Sequence, residues 1–320
     1  MPHSRKLILM IGESGSGKST IAREMVAKDP DKYVRISRDD LRLELAGQVK
    51  KGKLEDLVIK VQVARAFKAL DEDKNVIIDD TNLNPNTQDK WKNRVNHKAE
   101  YAPYRVFTDL PTCIIRDAYR VGSSHVGRAV IERQFCLSGR MKDFIDPDKP
   151  ILICDIDGTV ASHDGIRSPF DERKVGLDTV HSNIRYFINS FSKTHTIFFV
   201  SGRHSTCSDD TCFWLEENGI TMHHILMRAS WDNRSDTVVK REILDEIRKN
   251  LHYDNQIDFV IDDRPKVVRM WREAGVNVKP VYKNQFLTDN EFFTEHRMDC
   301  SSKDKENDGR CEECGALKEF

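Results

Sequence analysis

The sequence has little excess charge of either sign and lacks any long apolar run. Its 51 basic and 52 acidic side chains leave a formal net charge of -1, so no protein-wide positive field gathers polyanions. No stretch is long enough to cross a membrane. The short apolar run at residues 7–11 passes directly into a glycine loop, unlike a secretory signal. We therefore expect a cytoplasmic protein (in the host, if it is viral) with no membrane partner, and any polyanion site must be local.

Disulfide bonds are also not expected, although the chain has 8 cysteines. A chain of this size can bury a core without covalent cross-links. Five cysteines are scattered through it, at Cys113, Cys136, Cys154, Cys207 and Cys212. The other three, Cys300, Cys311 and Cys314, lie near the C-terminus with His296 upstream, and the sequence leaves zinc binding, free thiols and a redox pair open.

The apolar pattern predicts two successive α/β domains, each with helices covering a parallel sheet. Strands of the first domain are predicted at residues 7–11, 34–36, 76–78 and 104–107, with helices at 21–28 and 54–70. Strands of the second are predicted at residues 151–154, 196–200, 224–227, 259–261 and 276–281, with helices at 179–192 and 236–250. The proline-marked segment between them predicts domains at residues 1–145 and 150–285, a linker at 146–149 and a polar tail at 286–320.

A glycine-rich loop lies between the first predicted strand and the first predicted helix. Residues 12–19 have the sequence Gly-Glu-Ser-Gly-Ser-Gly-Lys-Ser, a P-loop in the context that this motif requires. Backbone N–H groups can converge on phosphates, Lys18 can neutralise developing charge, and the Ser19 hydroxyl can hold Mg²⁺. The sequence thus predicts an ATP site, against the alternative of a glycine turn without a ligand, formed by Gly12, Gly15, Ser16, Gly17, Lys18, Ser19 and Thr20.

Charged residues follow the next two predicted strands. Asp39 could accept the proton of an attacking hydroxyl, and Arg38 or Arg42 could bind an acceptor phosphate. The alternative is that Asp39 and its neighbour Asp40 cap a helix. Asp80, after the third strand, could orient the acceptor or contact the metal through water, or it could belong to a turn.

Two arginines lie four residues apart on a predicted helix and therefore share one face. Arg116 and Arg120 could clamp phosphates, because phosphoryl transfer accumulates charge on the equatorial oxygens. The alternative is a pair of solvated surface side chains.

The second domain opens with two carboxylates at the end of a buried strand. The two-residue period of a strand predicts that Asp155 and Asp157 point to the same side. Asp155 could attack phosphorus, while Asp157 protonates the leaving oxygen and later activates water. Ser201 and Lys240 follow in the order needed to contact the phosphoryl group. Asp262 and Asp263 could complete a Mg²⁺ site with Asp155 and the Asp157 carbonyl.

This series of residues resembles the haloacid-dehalogenase phosphatase superfamily over about residues 150–281. The fold class is therefore predicted as α/β in two domains, a P-loop kinase-type parallel sheet followed by a Rossmann-like haloacid-dehalogenase phosphatase. Residues 161–175, which carry Arg167, closely follow the strand and the two aspartates at residues 151–159. In this superfamily such segments contact substrate.

The order of the domains and residues 38–42, 80–85 and 261–264 resemble the phage polynucleotide kinase and 3'-phosphatase family, over about residues 6–281. The resemblance implies a bifunctional enzyme that phosphorylates 5'-hydroxyl ends of RNA or DNA with ATP and removes 3'-phosphates. It leaves the opening of 2',3'-cyclic phosphates undecided. It also implies a homotetramer and a partner ligase that seals the healed ends.

Residue by residue, the resemblance makes Lys18 and Ser19 ATP contacts, Asp39 the general base, Arg42 an acceptor-phosphate ligand and Arg120 a transition-state ligand. In the phosphatase it marks Asp155, Asp157, Arg167, Arg203, Lys240, Asp262 and Asp263. One departure is the pair Glu13 and Ser14, which replaces the uncharged, proline-containing start of the family's P-loop and could bring an anion near the nucleotide.

Two other functions compete with end healing. A metabolite kinase fused to a small-molecule phosphatase is mildly favoured by the near-neutral net charge. The arginines gathered in one region, Arg116, Arg120, Arg128, Arg133 and Arg140, disfavour it. A nucleotide-dependent scaffold whose sites no longer turn over is the second alternative.

Overall fold

The computed structural model describes residues 5–47, 54–168, 170–289 and 291–292. The chain divides into two units between Ser138 and Gly139, and each unit has its own main parallel sheet. This arrangement confirms the predicted α/β class. Within the described ranges, every helix is too short or too polar to cross a lipid bilayer.

The first unit has four parallel strands in the order β2-β3-β1-β4. The strands are β1 (Lys6–Ile11), β2 (Tyr33–Ile36), β3 (Asn75–Ile78) and β4 (Glu100–Arg105). The helices are α1 (Lys18–Lys28), α2 (Arg38–Ala46), α3 (Glu55–Asp71), α4 (Pro85–Val95), α5 (Leu110–Ala118) and α6 (Arg128–Leu137).

Alternate residues of β1 enter different cores, as the two-residue period of a strand requires. Leu7, Leu9 and Ile11 pack in a cluster with residues of α3 and α4, whereas Ile8 and Met10 pack in a cluster with Ala22 of α1. Since both faces of the sheet are covered, β1 and β3 are continuous apolar runs. The polar residues that follow these strands lie at the carboxyl edge of the sheet, where sites of such folds form.

The fourth strand lies earlier than predicted. The sequence indicated residues 104–107, but β4 spans Glu100–Arg105, and Phe107 is mostly exposed. Among the described strands, β4 lies at the edge of the sheet and pairs with β1 alone. Backbone hydrogen bonds hold it there, so its side chains need not be apolar.

The second unit has six strands in the order β12-β11-β10-β5-β8-β9, parallel except for β12. They are β5 (Ile151–Cys154), β8 (Thr196–His204), β9 (His224–Arg228), β10 (Ile257–Asp262), β11 (Val278–Tyr282) and β12 (Gln285–Phe286). Two short strands, β6 (Ala161–Ser162) and β7 (Thr179–Val180), form a separate antiparallel pair. The helices are α7 (Ser182–Phe191), α8 (Ser208–Glu217), α9 (Asp236–Arg248) and α10 (Pro265–Glu273).

Two predicted elements of the second unit were wrong in extent. The helix predicted from residue 179 begins at Ser182, because Thr179–Val180 pairs with Ala161–Ser162 instead. β8 runs past its predicted end to His204, with an irregularity in its pairing with β9 between Ser201 and His204. That irregularity lies at the carboxyl edge, where bulges often redirect side chains toward a site.

The predicted boundaries also differ from the observed units. His252 lies within hydrogen-bond distance of the carbonyl oxygens of Lys142 and Ile145, and Gln256 donates to those of Asp146 and Lys149. Residues 139–149 therefore belong with the second unit. At the other end, Phe292, which lies within the predicted tail, is fully buried.

Candidate active sites

The loop between β1 and α1 requires glycine at two positions. Gly15 and Gly17 have φ of +82° and +101°, the left-handed region that favours glycine. A Cβ atom on Gly15 would overlap the carbonyl oxygen of Cys113. The backbone N–H of Gly12 donates to Thr81, while Ser19 and Thr20 lie in the first turn of α1. The predicted nucleotide residues therefore surround the N-terminus of α1, where backbone N–H groups favour phosphate.

The Lys18 ammonium is buried in this loop. It donates to the carbonyl oxygen of Glu13 at 2.7 Å and lies 3.4 Å from the Ser16 hydroxyl. Burial lowers the pKa of Lys18 to about 8, although the negative charges of Asp79 and Glu13 oppose the shift. A desolvated cation of this kind is stabilised by an anion. The loop therefore fits the phosphates of ATP.

Glu13 and Ser14, the two residues that depart from the family's P-loop, are anchored by α6 and the residue that follows it. The Glu13 side chain is buried and accepts a hydrogen bond from the Ser138 hydroxyl at 2.7 Å. The Ser14 N–H donates to the side-chain oxygen of Gln134 at 2.6 Å. Glu13 thus adds negative charge close to Lys18, while Ser138, directly after α6, holds its carboxylate.

The two predicted phosphate-binding arginines differ in their surroundings. Arg116, on α5, places Nη1 3.4 Å from the carbonyl oxygens of both Gly15 and Ser16. Arg120 lies beyond the end of α5 at Ala118, so the expectation that both share one helix was wrong. It pairs with the buried Asp117 at 3.1 Å, and its charge contributes to lowering the pKa of Lys18. Both arginines therefore lie near the P-loop.

At the carboxyl end of β2, the predicted general base contacts the predicted phosphate ligand. Arg42 Nη1 lies 2.5 Å from Asp39 Oδ1, and the Asp39 side chain is 64% exposed. The same guanidinium makes two hydrogen bonds of 2.8 Å to Glu55 on α3. Ser37 caps α2 by accepting from the Asp39 N–H, so the cap does not use the Asp39 carboxylate. This carboxylate remains accessible to a hydroxyl.

Asp80 organises the same edge. Its carboxylate accepts hydrogen bonds from the Arg38 backbone N–H at 2.9 Å, from Arg38 Nε at 3.0 Å and from Gln62 at 2.8 Å. This arrangement fits the predicted orienting role better than the alternative of a simple turn residue.

The adjacent Asp79 follows the same predicted strand, but the sequence assigned a role to Asp80 alone. It is buried at the end of β3 and pairs through Oδ2 with Arg35 Nε at 2.6 Å. Its other oxygen is buried and has no hydrogen-bond partner among the described residues, and its charge opposes the lowering of the Lys18 pKa by burial. A carboxylate directly after a buried strand beside the P-loop strand was the sequence signal that could have identified it.

In the second unit, Lys240 joins two carboxylates in a buried cluster. Its Nζ lies 2.8 Å from Asp155 Oδ1 and 2.9 Å from Asp262 Oδ2. Burial would lower the pKa of Lys240, but the charges of Asp155 and Asp262 raise it above its usual range. Lys240 therefore stays protonated, and Trp271 additionally donates to Asp262 at 3.1 Å.

Carboxylates crowd this cluster. Ligand atoms of Asp155, Asp262 and Asp263 all lie within 4.8 Å of one another. Burial raises the pKa of Asp155 to about 7, with Asp262 adding to the shift and Lys240 opposing it. Negatively charged carboxylates this close together repel one another, and a divalent cation would relieve that repulsion. Carboxylate oxygens are also the ligands that Mg²⁺ prefers. The cluster therefore fits the predicted magnesium.

Asp157 engages a different set of partners. Strand β5 ends at Cys154, so the strand period no longer governs the side chains after it. Asp157 accepts from Arg203 Nε and Nη2, each at 2.8 Å, and from Arg167 Nη2 at 2.8 Å. Burial would raise its pKa, but these arginines lower it below its usual value.

Asp178 completes this arginine network and was missed by sequence reasoning. Its buried carboxylate lies 2.6 Å from Arg167 Nε and 2.6 Å from Arg203 Nη2. No local pattern distinguishes Asp178, which directly precedes β7. The predicted Ser201 is fully buried beside the network and accepts from the Arg203 N–H at 3.2 Å.

The turn after Asp157 leaves no space for a side chain at Gly158. Gly158 has φ of +76°, and a Cβ atom there would overlap the Asp263 carboxylate. The Thr159 hydroxyl donates to Asp263 Oδ1 at 3.2 Å. The backbone of this turn therefore fixes Asp263 against the cluster. The proposed zinc ligands His296, Cys300, Cys311 and Cys314 lie outside the described residues.

Comparison with protein families assigns each unit separately. Residues 149–286 match the family described as the polynucleotide kinase PNKP phosphatase domain, and residues 7–136 match the AAA domain family. In general, domains of these two kinds use ATP and Mg²⁺.

One relative resembles most of the chain. A protein of Autographa californica nuclear polyhedrosis virus, named as a bifunctional polynucleotide kinase/RNA ligase, is 28% identical over 301 residues, or 86% of this chain. The chain spans only 42% of that relative.

Among solved structures, a chain of the Pnkp1/Rnl/Hen1 RNA repair complex is 25% identical, with a TM-score of 0.40. The match covers 88% of this chain and 97% of the other. A gluconokinase from Sinorhizobium meliloti 1021 is 17% identical, with a TM-score of 0.30, over 42% of this chain and 75% of its own.

Proposed function

Because the chain joins an AAA-type P-loop domain to a phosphatase domain of the polynucleotide kinase PNKP family, we propose that it heals broken nucleic-acid ends. It transfers the γ-phosphate of ATP to 5'-hydroxyl ends and removes 3'-phosphates, which prepares both ends for ligation. The observation that carries this proposal is the cluster of Asp155, Lys240, Asp262 and Asp263 within a domain of that phosphatase family, preceded by a P-loop.

In the kinase reaction, the P-loop N–H groups and Lys18 bind the ATP phosphates. Asp39 takes the proton of the 5'-hydroxyl as its oxygen attacks the γ-phosphorus and ADP leaves. Arg42 binds the phosphate next to the accepting end. Arg120 and Arg116 stabilise the charge that accumulates on the transferring group. Arg38 and Asp80 orient the acceptor site.

In the phosphatase reaction, a carboxylate oxygen of Asp155 attacks the 3'-phosphorus, and the bond to the 3'-oxygen breaks. Asp157 protonates that oxygen, then removes a proton from the water that hydrolyses the aspartyl-phosphate. Its arginines hold it deprotonated at rest. Asp157 must therefore first take a proton from solvent water, which requires Arg167 and Arg203 to turn toward the phosphoryl oxygens. Ser201 and Lys240 contact the same group.

Magnesium has a defined place in both halves of this proposal. Asp155, Asp262, Asp263 and the Asp157 carbonyl would hold one ion, and the Ser19 hydroxyl would hold the ion that accompanies ATP. The ion supplies charge neutralisation for a phosphoryl group that approaches several carboxylates.

The two reactions act on opposite ends of a break, since adding and removing phosphate at one position would only consume ATP. The related viral protein is named for both a polynucleotide kinase and an RNA ligase, which supports a ligase as functional partner. RNA and DNA ends are both within the proposal. A homotetramer and a cytoplasmic location stay predictions from the sequence.

The test uses labelled ATP with a 5'-hydroxyl oligonucleotide, and a 3'-phosphorylated oligonucleotide assayed for phosphate release, on matched RNA and DNA. We expect both reactions in the wild-type protein. Asp39→Ala should lose label transfer and keep phosphate release, and Asp155→Asn should do the reverse. Transfer to small metabolites but to no oligonucleotide would contradict end healing.

A further inference from the structure

The segment between β6 and β7 is attached to the phosphatase site at two points. Arg167 reaches Asp157 at 2.8 Å through Nη2. Five residues later, Glu172 accepts from the His204 backbone N–H at 3.0 Å, and His204 directly follows Arg203. Arg167 and Glu172 are therefore each fixed beside the network that surrounds Asp157.

An open hollow of about 610 Å³ lies along the loop between Arg167 and Glu172. Ser168, Phe170, Asp171, Glu172, Arg173 and Thr206 line it. Its size falls within the range of small-molecule sites in proteins. Glu172 lines the hollow and also accepts a hydrogen bond from the N–H of His204, the residue after Arg203, so the hollow lies beside the chain segment that carries this arginine.

The loop presents an aromatic ring and a cation to solvent. Phe170 is 93% exposed, and the Arg173 side chain is 89% exposed. The exposed ring offers a planar apolar face, and nucleobases stack on such rings. Arg173 pairs with Asp171 at 3.0 Å, an exposed interaction that a phosphodiester can replace at small cost.

We propose that this hollow is the subsite for the terminal nucleoside of a 3'-phosphorylated strand. The terminal base stacks on Phe170, and the phosphodiester on its 5' side meets Arg173. Arg167 and Arg203 then face the terminal phosphate. This subsite rests on the proposed phosphatase function and adds to it a requirement for a base next to the scissile phosphate.

The test compares two oligonucleotides that carry the same 3'-phosphate, one ending in a normal nucleotide and one ending in an abasic deoxyribose. We expect the wild-type protein to prefer the base. Phe170→Ala should lower kcat/KM for the base-bearing strand about tenfold to a hundredfold, the usual contribution of one stacked base, with the loss confined to that strand. Phe170→Trp should restore the preference.

Tyr186→Ala serves as the matched control, because Tyr186 is also an exposed aromatic residue, 65% exposed on α7. It should behave as wild type on both strands. An equal loss on both strands in Phe170→Ala, or no loss on either, would overturn the subsite. If the wild-type protein released phosphate from neither strand, the phosphatase function itself would fail, and the subsite with it.

Discussion

The ammonium nitrogen of Lys240 lies 2.8 Å from Oδ1 of Asp155, with both side chains almost fully buried. The same nitrogen contacts Asp262, so one lysine partly neutralises a cluster of three carboxylates. Removing one member of a buried ion pair leaves an uncompensated charge, which typically costs about 3–5 kcal/mol.

Lys240→Met should therefore destabilise the second unit and abolish phosphate release, while label transfer by the first unit persists. Because the three carboxylates remain, added Mg²⁺ should raise the melting temperature of this variant more than that of the wild type. Thermal unfolding with and without Mg²⁺ measures both effects. Lys249→Met, an exposed position just after α9, should resemble wild type. Equal Mg²⁺ responses in all three proteins would contradict the proposed ion site.

Gly158→Ala should reduce 3'-phosphatase activity about a hundredfold, because the new methyl group displaces Asp263 from the cluster. The matched control is Gly165→Ala, since Gly165 also has a positive φ of +68° but no atom of the described residues lies within 4 Å of an added Cβ. Both variants should lose roughly 1 kcal/mol of stability from backbone strain. Steady-state kinetics should separate them, and equal activities would refute the role of the turn.

Lys18→Met should abolish kinase activity but stabilise the first unit near neutral pH. The pKa of Lys18 falls from 10.5 to about 8 on folding, so below pH 8 the folded state holds a buried charge that the unfolded state hydrates. Removing that charge should increase the free energy of unfolding by about 3 kcal/mol. As pH rises from 8 to 10.5, the folded wild type sheds the proton first, and the gain should shrink.

Denaturant unfolding at pH 7 and pH 10 measures this difference between the two proteins. Lys90→Met, on the exposed side of α4, is the control and should give a small, pH-independent change. A stability gain for Lys18→Met that increased with pH would contradict the lowered pKa of Lys18.

Asp178→Asn should impair the phosphatase although Asp178 does not contact the phosphate in the proposed reaction. It removes the negative charge shared by Arg167 and Arg203, so both arginines shift toward Asp157. We expect kcat/KM to fall about tenfold to a hundredfold. Since the arginines hold the phosphoryl group, much of the fall should appear in KM. Asp210→Asn, an exposed residue on α8, provides the control, and identical kinetics for the two variants would argue against a positioning role.

The P-loop and the phosphatase motifs could be predicted because each is a short segment at the end of a buried strand. The alternation of apolar runs and helical patterns likewise gave the α/β class. Prediction weakened where residues distant in sequence complete the site. Glu55 and Gln62 lie on α3 and contact Arg42 and Asp80 across the fold, which no spacing rule encodes.

Misplaced elements have a similar cause. β4 is held by backbone pairing at an edge, so its side chains carry little apolar pattern. β7 replaces the start of a predicted helix because Thr179 and Val180 find partners in β6. In each case a tertiary contact outweighed the local preference of the chain.

The ion pairs at the carboxyl edge of the first sheet bear on how a polyanion approaches it. Arg35, Arg38 and Arg42 already face Asp39, Asp40, Glu55, Asp79 and Asp80. Three guanidinium groups among five carboxylates exert little long-range attraction on a strand. The rate at which a strand associates with this edge should therefore be low and nearly insensitive to salt. Selection among ends then depends on the dissociation rate of the bound terminus.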